Sequence, residues 1–164
     1  MNYRSITDLN TIKNLLRGQS PVAFDFETSP TDVWRDDEMA ALDAHKSVIA
    51  GISFATDAGD VFYVPLAHRT GRNAEQQDEL WDFLRSEVFQ NTNVIKIAHN
   101  LAFEAMFLYA KGIVVQEPVY DTIVAAQLTL KTYTEFRDLH DSGLKTLVPY
   151  LYGVELPTFE EVTQ

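Results

Sequence analysis

An α/β fold built around a mixed β-sheet is what this sequence predicts, on three observations. Strand-like runs come first and then alternate with helical ones. The run Val22-Ala-Phe-Asp-Phe-Glu27 alternates apolar and polar residues with the two-residue period of a strand. Stretches such as Leu9, Ile12, Leu15, Leu16 and Leu80, Trp81, Leu84, Val88 repeat their apolar residues at helical spacing.

Taken in order, Thr7–Arg17 reads as a helix stopped by Gly18. Val22–Glu27 is the first strand. Val22, Phe24 and Phe26 point one way, and Ala23, Asp25 and Glu27 the other. Ser29–Lys46 is irregular or partly helical, rich in Asp and holding Trp34. Ser47–Ala55 and Asp60–Leu66 form a hairpin around Asp57-Ala-Gly59. Asn73–Phe89 is helical, and Asn93–Ala98 is a short strand. Asn100–Lys111 is a helix capped by Asn100 and closed by Gly112. Ile113–Val115 is expected as a last strand, and Asp121 starts a helix that runs to Leu130. Lys131–Ser142 reads as a polar loop, and Leu144–Tyr152 as a short helix with Pro149 at its bend. No repeat or linker divides residues 1–164, so one domain is expected.

With 164 residues, 46% of them hydrophobic, the chain can bury a substantial core. The lack of cysteine excludes disulfides, cysteine–zinc sites and thiol chemistry. No run reaches membrane-spanning length and no apolar signal core opens the chain, so a soluble cytoplasmic protein is expected. The net charge of −11 provides no basic face for a polyanion. A nucleic-acid ligand would need metal ions, or a separate basic body, to bring it in.

Asp25 and Glu27 share one strand face, ~7 Å apart by strand rise, and two carboxylates so placed repel unless a cation lies between them. Oxygen donors of this kind suit Mg²⁺ or Mn²⁺. An acid-x-acid run also fits a plain polar strand end. Glu104 is the only charge in the apolar helix Leu101–Ala110, which should be buried on nearly every side. A lone buried carboxylate costs several kcal/mol unless neutralised or bound to a cation; pairing with a lysine, or a place at the solvent edge, is the other reading. His99 and Asn100 stand at the strand–helix junction, where ligands gather in open sheets, although each taken alone reads first as a core histidine and a helix cap. Asp121 reads first as an N-cap, and Lys145 as a surface lysine.

Together these residues resemble the 3′–5′ proofreading exonuclease domain of family A DNA polymerases, in the DnaQ-like branch of the ribonuclease H-like superfamily. Phe24-Asp-Phe-Glu-Thr28 resembles the family's first motif, and Lys96-Ile-Ala-His-Asn-Leu-Ala-Phe-Glu104 its second. Gly51-Ile-Ser-Phe-Ala55 and Phe62-Tyr-Val-Pro-Leu-Ala-His68 are similar to its second and third strands, and Tyr120-Asp-Thr-Ile-Val-Ala-Ala-Gln127 to its Asp-Thr helix. The resemblance implies a ribonuclease H-like mixed β-sheet flanked by helices, with a phage-type polymerase flavour.

It also implies a two-metal Mg²⁺ or Mn²⁺ site held by Asp25, Glu27 and Glu104 as catalytic residues, a site that the departures below leave incomplete. Thr28, His99, Asn100 and Phe103 would hold the terminal nucleotide of a single-stranded DNA 3′ end. Two departures qualify this. Glu104 stands where the family usually has Asp. Neither Tyr-x-x-x-Asp nor His-x-x-x-x-Asp, the third motif, occurs. The expectation is therefore a domain truncated before the third motif and lacking the final helix. Its activity would be weak or absent alone, and its partner a polymerase domain or a C-terminal remainder. A homodimer through the patch left by the missing helix is a further expectation. The alternatives are a non-catalytic ribonuclease H-like module that docks with a second polypeptide, and a small-molecule α/β enzyme using the same acids.

Overall fold

Alternation of buried and exposed side chains builds the central strand. In the computed structural model, which describes residues 4–130 and 142–156, Val22, Phe24 and Phe26 are buried while Asp25 and Glu27 face out. The elements are β1 (Arg4–Ser5), α1 (Leu9–Leu16), β2 (Val22–Pro30), β3 (Ser47–Thr56), β4 (Val61–Pro65), α2 (Gln77–Phe83), β5 (Lys96–Ala98), α3 (Leu101–Ala110), β6 (Val119–Asp121), α4 (Thr122–Leu130) and α5 (Leu144–Tyr152). The strands lie in the order β1-β4-β3-β2-β5-β6. β2, β3 and β4 pair antiparallel, while β1 with β4 and β2 with β5 run parallel. The sheet is therefore mixed, as expected. The chain forms two compact units, residues 1–120 and 121–164. No helix among the described residues is long and apolar enough to cross a membrane.

In the first unit, Asp8 caps α1, its carboxylate accepting from the Thr11 N–H at 2.7 Å. Ile12 and Leu16 of α1 enter a core shared with Ile52, Phe54, Phe62 and Leu80. Phe24 and Phe26 meet Phe89 edge-on, with ring centroids 5.0 and 6.4 Å apart. The expected helix 73–89 is shorter at its start and changes character. α2 begins at Gln77, and Leu84–Phe89 continues as a π-helix, which seats Val88 and Phe89 in the core.

Three other expectations need correction. The Asn100 side chain does not cap α3; the residue adopts φ 70°, ψ 54°, a left-handed conformation that Asn tolerates better than most residues. α3 is not buried all round, since Met106 and Tyr109 are exposed while Glu104, Phe107 and Leu108 are buried. Ile113–Val115 is not a strand. Gly112, at φ 71°, donates to the Tyr109 carbonyl and Ile113 to that of Leu108, which is a Schellman ending that places buried Ile113 against the helix end. The final strand lies later, at Val119–Asp121. Lys96, read only as part of a motif, is fully buried; its ammonium donates to the Asn91 carbonyl at 2.8 Å, and burial holds its pKa down.

In the second unit, Asp121 caps α4 through the Ile123 N–H at 3.0 Å, as its sequence position suggested. α5 carries Pro149 inside and ends at Gly153 with φ 64°. Leu147 is buried, whereas Leu144 of the same helix is exposed. The loop expected over 131–142 lies, but for Ser142, outside the described residues.

Candidate active site

The site grows from one irregularity in the sheet. Glu27 pairs with Gly51, but Thr28 pairs with Ile49, so Ala50 is an extra residue on β3. The Ala50 carbonyl accepts from both Leu66 and Ala67, at 2.7 and 2.9 Å. Before the bulge, alternation sends Asp25 and Glu27 to one face of β2, and both are exposed. Just after it, the Thr28 hydroxyl donates to the Ala41 carbonyl at 2.7 Å and ties the strand to the loop that follows.

Asp25 is the perturbed acid of the pair. Its side chain reaches solvent, yet protein crowds enough of its carboxyl to push the pKa up to about 6; burial is the main cause and the charge of Glu27 the second. Surface exposure and desolvation differ here because an acid open on one side can be flanked on the others. In the unfolded chain Asp25 loses its proton near the ordinary 3.8, and in the folded chain near 6. Across that window the folded state holds the proton more tightly, so rising pH removes stability until about pH 6 and changes little beyond it. In metal-free buffer, Asp25→Asn should therefore be more stable than the parent at pH 7.5. The gain is about 1 kcal/mol once solvent screening is allowed for, or ~2–4 °C in melting temperature. The gap should close at pH 3.5, and thermal melts that differ equally at both pH values would refute this.

β5 runs parallel to β2, with Ala23 beside Ile97. The junction at His99-Asn100 and the first turn of α3 thus follow at the level of Asp25. His99 is half-buried and Asn100 exposed. Phe103 is half-buried, its ring 4.9 Å from that of Phe107. Glu104 is only 2% exposed, which excludes a place at the solvent edge. Among the described residues no three His, Cys, Asp or Glu side chains are grouped so as to hold a metal ion. The structure thus brings Asp25 and Glu27 together, while Glu104 does not join them in a three-ligand cluster. The paired oxygen donors of Asp25 and Glu27, one of them kept from ionising at its usual pH, fit a hard divalent cation.

Sequence reading passed over one pair on this face. Asp25, Ser53 and Tyr63 are in register across β2, β3 and β4, and the Tyr63 hydroxyl meets His68 Nε2 at 2.6 Å. The signal available was Gly51 inside a strand, a residue that often marks a close approach.

A family model described as 3′–5′ exonuclease matches residues 3–163. Compared by sequence with curated proteins, the chain matches none. Among solved structures, it is similar to Brucella melitensis NrnC bound to pGG, with TM-score 0.63 and 22% identity over 96% of this chain and 64% of that one. It is also similar to the EXO domain of Aedes aegypti Nibbler, with TM-score 0.72 and 17% identity over 99% and 75%. A third is Escherichia coli RNase D, an exoribonuclease involved in structured RNA processing, with TM-score 0.62 and 19% identity over 98% and 36%. The chain spans 64% of the length of NrnC.

Proposed function

The chain belongs to the 3′–5′ exonuclease family, and from that premise we propose that it removes nucleotides from the 3′ end of single-stranded DNA by metal-assisted hydrolysis of the terminal phosphodiester. The α/β fold is the ribonuclease H-like one of DnaQ-type exonucleases. The observation that carries the proposal is the acid pair Asp25 and Glu27, gathered at a bulge on the face of the central strand.

Asp25 and Glu27 would hold Mg²⁺ or Mn²⁺, and Glu104 would serve the same site through water. The cation supplies charge to the reacting phosphate and acidity to a bound water. The remaining work belongs to this chain. Asp25, whose carboxyl is partly desolvated, gains most from facing the cation. Glu27, open to solvent, receives the 3′ end. The Phe103 ring offers a stacking surface for the terminal base, and His99 and Asn100 offer polar groups for its sugar and phosphate. The Thr28 hydroxyl, with its hydrogen committed to Ala41, can still accept. With two carboxylates rather than three standing together, turnover by this chain alone is slow. Its −11 charge leaves delivery of the strand to a basic body, such as a polymerase domain or a C-terminal remainder.

The test is a 5′-labelled single-stranded DNA incubated with the protein and Mn²⁺, with an RNA strand in parallel. The DNA should shorten slowly from its 3′ end, and EDTA should stop it. No shortening, together with no Mn²⁺ binding by calorimetry, would overturn the proposal. The same outcome would favour the second reading, a non-catalytic module, which rests on the missing three-ligand group among the described residues.

A further inference from the structure

We infer that Tyr63 is a positioning residue for Glu27, acting from β4 across β3 through its hydroxyl; this rests on the exonuclease reading above. A Cβ built on Gly51 would overlap the Tyr63 hydroxyl and the carbons beside it. The phenol therefore lies across Gly51, its oxygen where a side chain at 51 would start. Gly51 is the direct partner of Glu27 across the antiparallel pair, and side chains so paired share a face, with Cβ atoms ~5 Å apart. That puts the Tyr63 oxygen about 5 Å from the Glu27 Cβ, within reach of an extended glutamate carboxylate. Any side chain at 51 would stand between the two.

The hydroxyl is held on its far side. His68 Nε2 lies 2.6 Å away with its ring edge-on to that of Tyr63. His68 itself is clamped by Asn73, whose side chain accepts from the His68 N–H at 2.8 Å and donates to the His68 carbonyl at 3.0 Å. With Nε2 protonated, His68 donates to the phenol oxygen, and the Tyr63 O–H is then directed at the Glu27 carboxylate. Tyr63 is buried and cannot swing freely. A rigid donor of this kind holds a cation-binding carboxylate in one orientation, which is what hydrogen-bond partners of metal ligands do elsewhere.

The experiment compares Mn²⁺ affinity by calorimetry and single-strand cleavage for the parent, Tyr63→Phe, His68→Ala and His68→Gln. Tyr63→Phe keeps the ring and loses only the hydroxyl. Its Kd for Mn²⁺ should rise about tenfold and its kcat fall by a similar factor, with KM for the oligonucleotide within twofold of the parent. His68→Ala should move both in the same direction, and His68→Gln, which retains a donor, should restore most of the loss. It also tests the idea should Tyr63→Phe not fold. A parent that binds Mn²⁺ alongside a Tyr63→Phe variant of unchanged Kd and kcat would overturn this inference and leave the exonuclease reading standing. A parent that neither binds Mn²⁺ nor cleaves would overturn both.

Discussion

Asp25→Ala is expected to reduce 3′-end cleavage by at least about 10²–10³-fold, the scale on which losing one group that stabilises transition-state charge registers. Three features of the site make this position the most sensitive. Asp25 sits at the centre of the strand face, with Glu27 as its like-charged neighbour. Its carboxyl is desolvated enough to push its pKa up to about 6, so a bound divalent cation would relieve a cost the folded protein already carries. The fold should survive, because the side chain is exposed and the change relieves repulsion. The measurement is the cleavage rate of a 5′-labelled strand at saturating Mn²⁺, with a melting curve beside it. A variant retaining more than a tenth of the rate would remove Asp25 from the proposed metal site. Glu27→Ala should give a similar loss, and the double variant little more than either alone, because groups that act on one cation are not additive.

The second large effect concerns stability. Phe54→Ala should cost about 3–5 kcal/mol, a large share of the ~5–15 kcal/mol that holds a domain folded. Phe54 is 1% exposed, stacks on Phe62 at a centroid distance of 5.4 Å, and pairs with Phe24 across β2 and β3. Emptying that position opens a cavity where both antiparallel ladders meet. The melting temperature should fall by ~6–20 °C, while Val33→Ala, at a residue 85% exposed, should change stability by no more than about 0.5 kcal/mol. Equal melting temperatures for the two variants would contradict the placement of the core.

Much of this arrangement was legible in local sequence, for a definite reason. The alternation over Val22–Glu27 is a two-residue pattern that neighbouring residues determine alone, so the acid face of β2 could be read directly. Asp8 and Asp121 likewise announce helix starts through short-range hydrogen bonds. The misreadings share the opposite character. Ile113 looked like strand because it is apolar, but its N–H closes α3 across Gly112. Asn100 looked like a side-chain cap, yet it was its tolerance of positive φ that mattered. The burial of Lys96, the π-helix at 84–89 and the crossing of Tyr63 over Gly51 all depend on strands or helices distant in sequence. The same division runs through the proposed site. Asp25 and Glu27 are neighbours along the chain and meet. Glu104 arrives from another element, and its membership in a cluster could not be read from spacing.

The extra residue at Ala50 has a consequence for how this hairpin can change over evolutionary time. Past it, β3 resumes its alternation one step out of phase, so that Ile49 returns to the interior and Val48 faces water. Removing that residue would leave Ile49 and Val48 on their present faces, in a ladder with no irregularity, but would take away the carbonyl that receives both Leu66 and Ala67. Lineages descending from this chain can therefore lengthen or shorten the turn at Asp57–Gly59, but a single-codon deletion at Ala50 would have to be matched by a new acceptor for the Leu66 and Ala67 N–H groups.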